Sequence, residues 1–128
     1  MSLKESLRIA VVDDMSISRA LITQALDEMG VKQYQTESDP KAALGRITTN
    51  PPHLVISDMN MPGMSGLDLL KALRQHKMTQ RIGFILITGT PSPEVVNNAQ
   101  MLGANNLVKK PFTTITLKGA IEKVVGRL

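Results

Sequence analysis

Cysteine and tryptophan are absent, and one tyrosine and two phenylalanines are the only aromatic side chains. Without cysteine there is no disulfide framework, no thiolate metal site and no cysteine nucleophile. Three scattered rings (Tyr34, Phe84 and Phe112) cannot form a base-stacking platform. No apolar run is long enough to span a bilayer, and Met1-Ser2-Leu3-Lys4-Glu5-Ser6 lacks the apolar core of a signal peptide. Met1-Ser2-Leu3 has the look of a cloning remnant. There is also no Gly-rich phosphate loop, no Gly-x-Ser-x-Gly elbow and no His-Glu-x-x-His pair, which speaks against ATP binding by this chain. The formal charge is +4, but its positive residues are dispersed, as on a mildly basic solvated surface. The expectation is a cytoplasmic monomer that binds neither nucleic acid nor membrane.

What remains is one domain of 128 residues, 42% hydrophobic and 20% charged, long enough for a single core. Eight methionines suit a plastic core or an adaptable partner face. The stretch Leu54-Val55-Ile56-Ser57-Asp58 is an apolar run that stops at an acid, with Met59-Asn60-Met61-Pro62-Gly63 turning the chain afterwards. It reads as a buried strand leaving a sheet. Leu7–Val12, Phe84–Ile87 and Asn106–Lys109 read the same way, and Gln33–Thr36 is a weaker second strand. Between them lie helical stretches. Ile22, Ala25, Leu26 and Met29 form one stripe of a helix opened by Ser16 and stopped by Gly30. Asp39-Pro40, Ser65 and Ser92-Pro93-Glu94 supply further helix starts. Leu67, Leu70 and Leu73 are expected inward in the third helix. Val95, Ala99 and Leu102 are expected to share a face of the fourth, and Leu117, Ala120, Ile121, Val124 and Leu128 a side of the last.

Five β-then-α units with short connections, built on continuous apolar runs, predict an α/β fold. It is an open, doubly wound, five-stranded parallel sheet with helices on both faces, in a single domain over 1–128. An eight-unit barrel needs about twice this length. In a parallel sheet all strand ends point one way, so Asp13, Asp14, Asp58, Thr88 and Lys110 fall on one edge, where open α/β sheets bind ligands. Three carboxylates there repel unless compensated by a hard cation and the Lys110 ammonium. All-oxygen ligands suit Mg²⁺ rather than zinc. Such a pocket welcomes a phosphoryl group, with a carboxylate as nucleophile, Thr88 as hydroxyl donor, Lys110 as point charge and Gly89 leaving room. Singly, each residue has a plainer role. Asp14 or Ser16 can cap a helix, Asp58 can serve a turn, Thr88 can bond its own loop and Lys110 can sit on the surface. His53 and His76 read as surface or helix-end residues.

Val11-Val12-Asp13-Asp14, Ser57-Asp58-Met59-Asn60-Met61-Pro62, Thr88-Gly89 and Lys110-Pro111-Phe112 stand in an order and spacing that resembles the receiver domain of two-component response regulators. The likeness covers nearly the whole chain and leans towards the stand-alone chemotaxis members. It implies a flavodoxin-like fold and a phosphoacceptor, Asp58, charged from the phosphohistidine of a histidine kinase. It also implies Mg²⁺ on Asp14, Asp58 and the backbone carbonyl of Asn60, with Asp13 helping through water. Thr88 and Lys110 then read the phosphoryl group, and Asn60 and Thr90 flank it and tune its lifetime. The output is a switched surface for a separate protein such as the flagellar motor switch. A phosphorelay intermediate, a phosphate sink or a receiver cut from a longer regulator fits the same residues. A hydrolase of the aspartyl-phosphate class fits less well, because no residues are spare for a cap. One position departs: Leu107 stands where the family often has an aromatic three residues before the lysine. A muted or altered switch is expected on the face of Val95 to Leu102, Leu107 and the last helix.

Overall fold

All five expected strands form one sheet in the computed structural model, which describes residues 2–128. In chain order the elements are α1 (Leu3–Ser6), β1 (Arg8–Val12), α2 (Ser16–Met29), β2 (Gln33–Glu37), α3 (Pro40–Thr49) and β3 (Leu54–Asp58). They continue with α4 (Gly66–Gln75), β4 (Gly83–Thr88), α5 (Pro93–Met101), β5 (Asn106–Lys109) and α6 (Thr114–Val125). Every strand pairing is parallel, in the order β2-β1-β3-β4-β5. The doubly wound sheet is therefore as expected.

Alternation along the strands divides the core into two layers. Ile9, Val11, Ile56, Ile85 and Ile87 pack with Ile22 and Leu26 of α2 and Leu117 and Ile121 of α6. On the other face Val12, Val55, Phe84 and Leu86 meet Ile47 of α3 and Leu69, Leu70 and Leu73 of α4. β3 and β4 are buried at every position, because each is flanked by strands and covered by helices on both sides. β2 is the exception, with the polar sequence Gln-Tyr-Gln-Thr-Glu and no fully buried residue. An edge strand has one neighbour and incomplete cover, so it needs no apolar run.

The helix starts follow their capping chemistry. Ser65 Oγ accepts from the Asp68 N–H at 3.1 Å, and the Asp68 carboxylate returns a bond to the Ser65 N–H at 3.1 Å. Asp39, Ser92 and Thr113 cap α3, α5 and α6 by accepting from the Lys41, Val95 and Thr116 N–H groups, without a return bond. Gly30 ends α2 at φ 86°, a left-handed position that favours glycine.

Two local expectations are corrected. Ser16 is the first residue of α2, not its cap; the cap position is Met15, which has no capping side chain. In α4 the buried leucines are Leu69, Leu70 and Leu73, with Leu67 only partly covered, because the stripe is centred one residue later. In α5 Ala99 is buried and Val95 and Leu102, partly covered, pack on the same core layer, so the shared face is as expected. Near the amino end the Ser2 hydroxyl donates to the Glu5 carboxylate at 2.8 Å, and Leu3 packs on the first core layer. Met1 lies outside the described residues.

Candidate functional site

The site grows from where β1, β3 and β4 end. Each strand is held in register to its last residue: Val12 pairs with Ser57, Asp58 with Ile87, and Thr88 with Lys109. The next bonds tie the exits together. The Met59 N–H donates to the Ile87 carbonyl at 2.9 Å, and the Lys110 N–H to the Thr88 carbonyl at 2.8 Å. The carboxylates are thus delivered to one place by the backbone of the sheet.

Asp13, Asp14 and Asp58 each offer an oxygen, and these three atoms lie within 4.8 Å of one another. Asp13 is fully buried and Asp58 is 7% exposed. The Lys110 ammonium is 2.8 Å from Asp58 Oδ1, 3.9 Å from Asp13 Oδ2 and 2.9 Å from the Ser18 hydroxyl. Asp13 Oδ1 accepts from the Met15 N–H at 3.0 Å, so this acid, rather than Ser16, organises the start of α2. Arg19 locks the same junction by donating from Nη1 to the Asp13 carbonyl at 2.8 Å.

Two buried oxygens, Asp13 Oδ2 and Asp14 Oδ1, have no hydrogen-bond partner. A buried carboxylate oxygen without a partner is costly. One ammonium cannot neutralise three adjoining carboxylates. The unpaired oxygens and the all-oxygen donor set therefore fit a hard divalent cation of the Mg²⁺ type.

The remaining expected residues fall into place unevenly. Thr88 is buried at the end of β4, and its hydroxyl accepts from the Thr90 N–H at 3.2 Å, so it bonds its own loop here. Asn60 is exposed, two residues beyond Asp58. A side chain on Gly89 would meet nothing within 4 Å, so the approach beside Thr88 is open. His53 and His76 lie away from the acids: His53 Nδ1 accepts from the Arg8 N–H, and His76 Nδ1 from the Met78 N–H.

Three contributors escaped the sequence reading. Ser18 and Arg19 were hidden because their partners lie on other elements. Gly66 was not among the expected site residues. Its N–H donates to the Met59 carbonyl at 2.8 Å, and a Cβ there would collide with the Asp58 carbonyl oxygen and the Leu86 side chain. The absent side chain lets α4 sit directly under the Asp58 loop. The Ser65-Gly66 pair after a turn was the available signal.

A family model described as the response regulator receiver domain matches residues 9–122. The chain belongs to that family. It is 41% identical over 128 residues to the probable chemotaxis protein CheY of Rhizobium etli, covering 100% of this chain and 99% of the relative. It is 33% identical to chemotaxis protein CheY-3 of Vibrio cholerae, covering 98% and 97%. The structure of chemotaxis response regulator CheY4 from Vibrio cholerae superposes with a TM-score of 0.84 at 28% identity, covering 92% of this chain and 98% of the other. The receiver domain of the sensor histidine kinase PA1611 from Pseudomonas aeruginosa shares the fold at 19% identity, with a TM-score of 0.85 and coverage of 94% and 98%. That structure has a magnesium ion coordinated in its active-site cleft. This chain is accordingly a phosphoacceptor signalling domain homologous to the CheY chemotaxis regulators, not a classical enzyme. No helix among the described residues is long and apolar enough to cross a membrane.

Proposed function

We propose that Asp58 is the phosphoacceptor of a chemotaxis response regulator and takes its phosphoryl group from a histidine kinase. The observation that carries this is the pairing of Asp58 with Lys110 at 2.8 Å beside two buried, unpartnered acid oxygens. The free Asp58 oxygen attacks phosphorus, the donor's P–N bond breaks, and the imidazole keeps the electron pair and takes up a proton. Asp13, Asp14, Asp58 and the Asn60 carbonyl would hold Mg²⁺, which supplies charge neutralisation for the phosphoryl oxygens. Lys110 then exchanges its bond to Asp58 for one to a phosphoryl oxygen. Thr88 gives up its acceptor role towards Thr90 and donates its hydroxyl to another phosphoryl oxygen. Those two exchanges alter the β4 and β5 exits, and so bias the surface of α5, β5 and α6 between two states.

The partner of that surface is a separate protein, and the likeness to chemotaxis regulators points to the flagellar motor switch. The protein acts as a cytoplasmic monomer. Leu107 is half-buried against the second core layer, so the surface changes without an aromatic ring turning between solvent and core. Comparing free and beryllofluoride-bound protein tests this; a large Leu107 rotation coupled to Thr88 would refute it. The acceptor assignment is tested with acetyl phosphate, Mg²⁺ and intact mass. The expected result is a gain of one phosphoryl group that Asp58→Asn abolishes. Unchanged mass, or a gain that survives in the variant, overturns it.

A further inference from the structure

Lys110 has more partners within reach than it uses. Its ammonium carries three hydrogens. One serves Asp58 Oδ1 at 2.8 Å and one serves Ser18 Oγ at 2.9 Å. The nearest other anion is Asp13 Oδ2 at 3.9 Å, beyond hydrogen-bond distance. That oxygen is buried and has no partner of its own. By charge alone it is the stronger attraction, since a buried carboxylate draws an ammonium more than a neutral hydroxyl does. Nothing in the backbone prevents the move: the Lys110 main chain is pinned to Thr88, but its side chain is long, rotatable and 28% exposed.

We propose that Ser18 is a positioning residue of this site, its hydroxyl holding the Lys110 ammonium clear of Asp13 Oδ2 and so leaving that oxygen free for a divalent cation. This rests on the acidic pocket being the cation site proposed above. Without the hydroxyl, the ammonium closes the remaining gap and bridges Asp13 and Asp58. It then occupies the acid oxygens the cation needs. Ser18 can do this because its place is fixed by others. It stands in the first turn of α2, whose start is tied to β1 by the Met15 bond to Asp13 Oδ1 and the Arg19 bond to the Asp13 carbonyl. Removing the Ser18 hydroxyl therefore leaves the helix where it is.

The test is calorimetric titration of the metal-free, full-length protein with Mg²⁺ alone. Ser18→Ala is expected to weaken Mg²⁺ binding about tenfold, the lower end of what an outer-shell partner contributes. Ser18→Thr, which keeps the hydroxyl, restores the affinity. In a Lys110→Ala background Ser18→Ala has no effect, because there is no ammonium left to hold. Equal affinity for wild type and Ser18→Ala, an alanine effect that threonine does not rescue, or an effect that persists without Lys110 overturns the role of Ser18 while leaving the pocket intact. A wild-type protein that binds no Mg²⁺ overturns the pocket itself, and the role of Ser18 with it.

Discussion

The two ends of the sheet treat polar groups in opposite ways. At the amino ends of β4 and β5, the Arg74 guanidinium donates to the carbonyls of Ile82 at 2.7 Å and Gly103 at 2.9 Å, and to the Asn105 carboxamide at 3.1 Å. Asn105 in turn accepts from the Phe84 N–H at 2.8 Å, and the buried Thr79 hydroxyl donates to the Leu73 carbonyl at 2.6 Å. Desolvation lowers the Arg74 pKa from its usual value, yet a guanidinium stays charged, so it can serve as a permanent clamp. At the carboxyl ends, three acids crowd one ammonium and two of their buried oxygens go unpartnered. The amino end spends its polar groups on holding loops together. The carboxyl end leaves them open, at a cost in stability, for something that arrives later.

The sharpest way to break this contrast is Asp58→Asn. It is expected to remove phosphoryl uptake completely while leaving the melting temperature no lower than wild type; a large loss of stability would make Asp58 a structural residue. Next is Gly66→Ala. The added methyl meets backbone under the acceptor loop, and a loss of roughly 2–3 kcal/mol in urea unfolding is expected. Tolerance of the methyl would show that α4 does not support the loop. Arg74→Ala is expected to cost about 2 kcal/mol, since the bonds it makes are charge-assisted but partly solvated. Uptake of phosphate per folded molecule should be retained, and a selective loss of uptake would erase the division between the two ends. The smallest effect is expected of Asp14→Asn, a gain of about 1 kcal/mol in metal-free stability as one charge leaves the cluster. Mg²⁺ should raise the melting temperature of wild type but much less that of the variant. A destabilised Asp14→Asn in chelator would mean that the acids are already compensated.

Much of this was legible from local pattern. Asp39-Pro40, Ser65 and Ser92-Pro93 announced their helices because a cap acts within one turn. β1, β3 and β4 announced themselves because strands with helices on both faces are built on continuous apolar runs. β2 was hard to see for the converse reason: an edge strand carries no such constraint. The α4 stripe is centred one residue later than expected, since Leu67, Leu69, Leu70 and Leu73 are alike in chemistry and only their depth of burial in the second core layer separates them.

The order of residues alone determined that Asp13, Asp14, Asp58, Thr88 and Lys110 would share an edge, because parallel strands place all their ends together. It also determined that those groups suit phosphoryl chemistry. Only the tertiary structure decided which oxygens stay unpartnered, that Lys110 rests between Asp58 and Ser18, and that Gly66 is needed under Asp58. Those are outcomes of distances of a few ångströms between residues far apart in the chain. Hydrogen bonding and steric contact depend on such distances, and spacing along a sequence does not encode them.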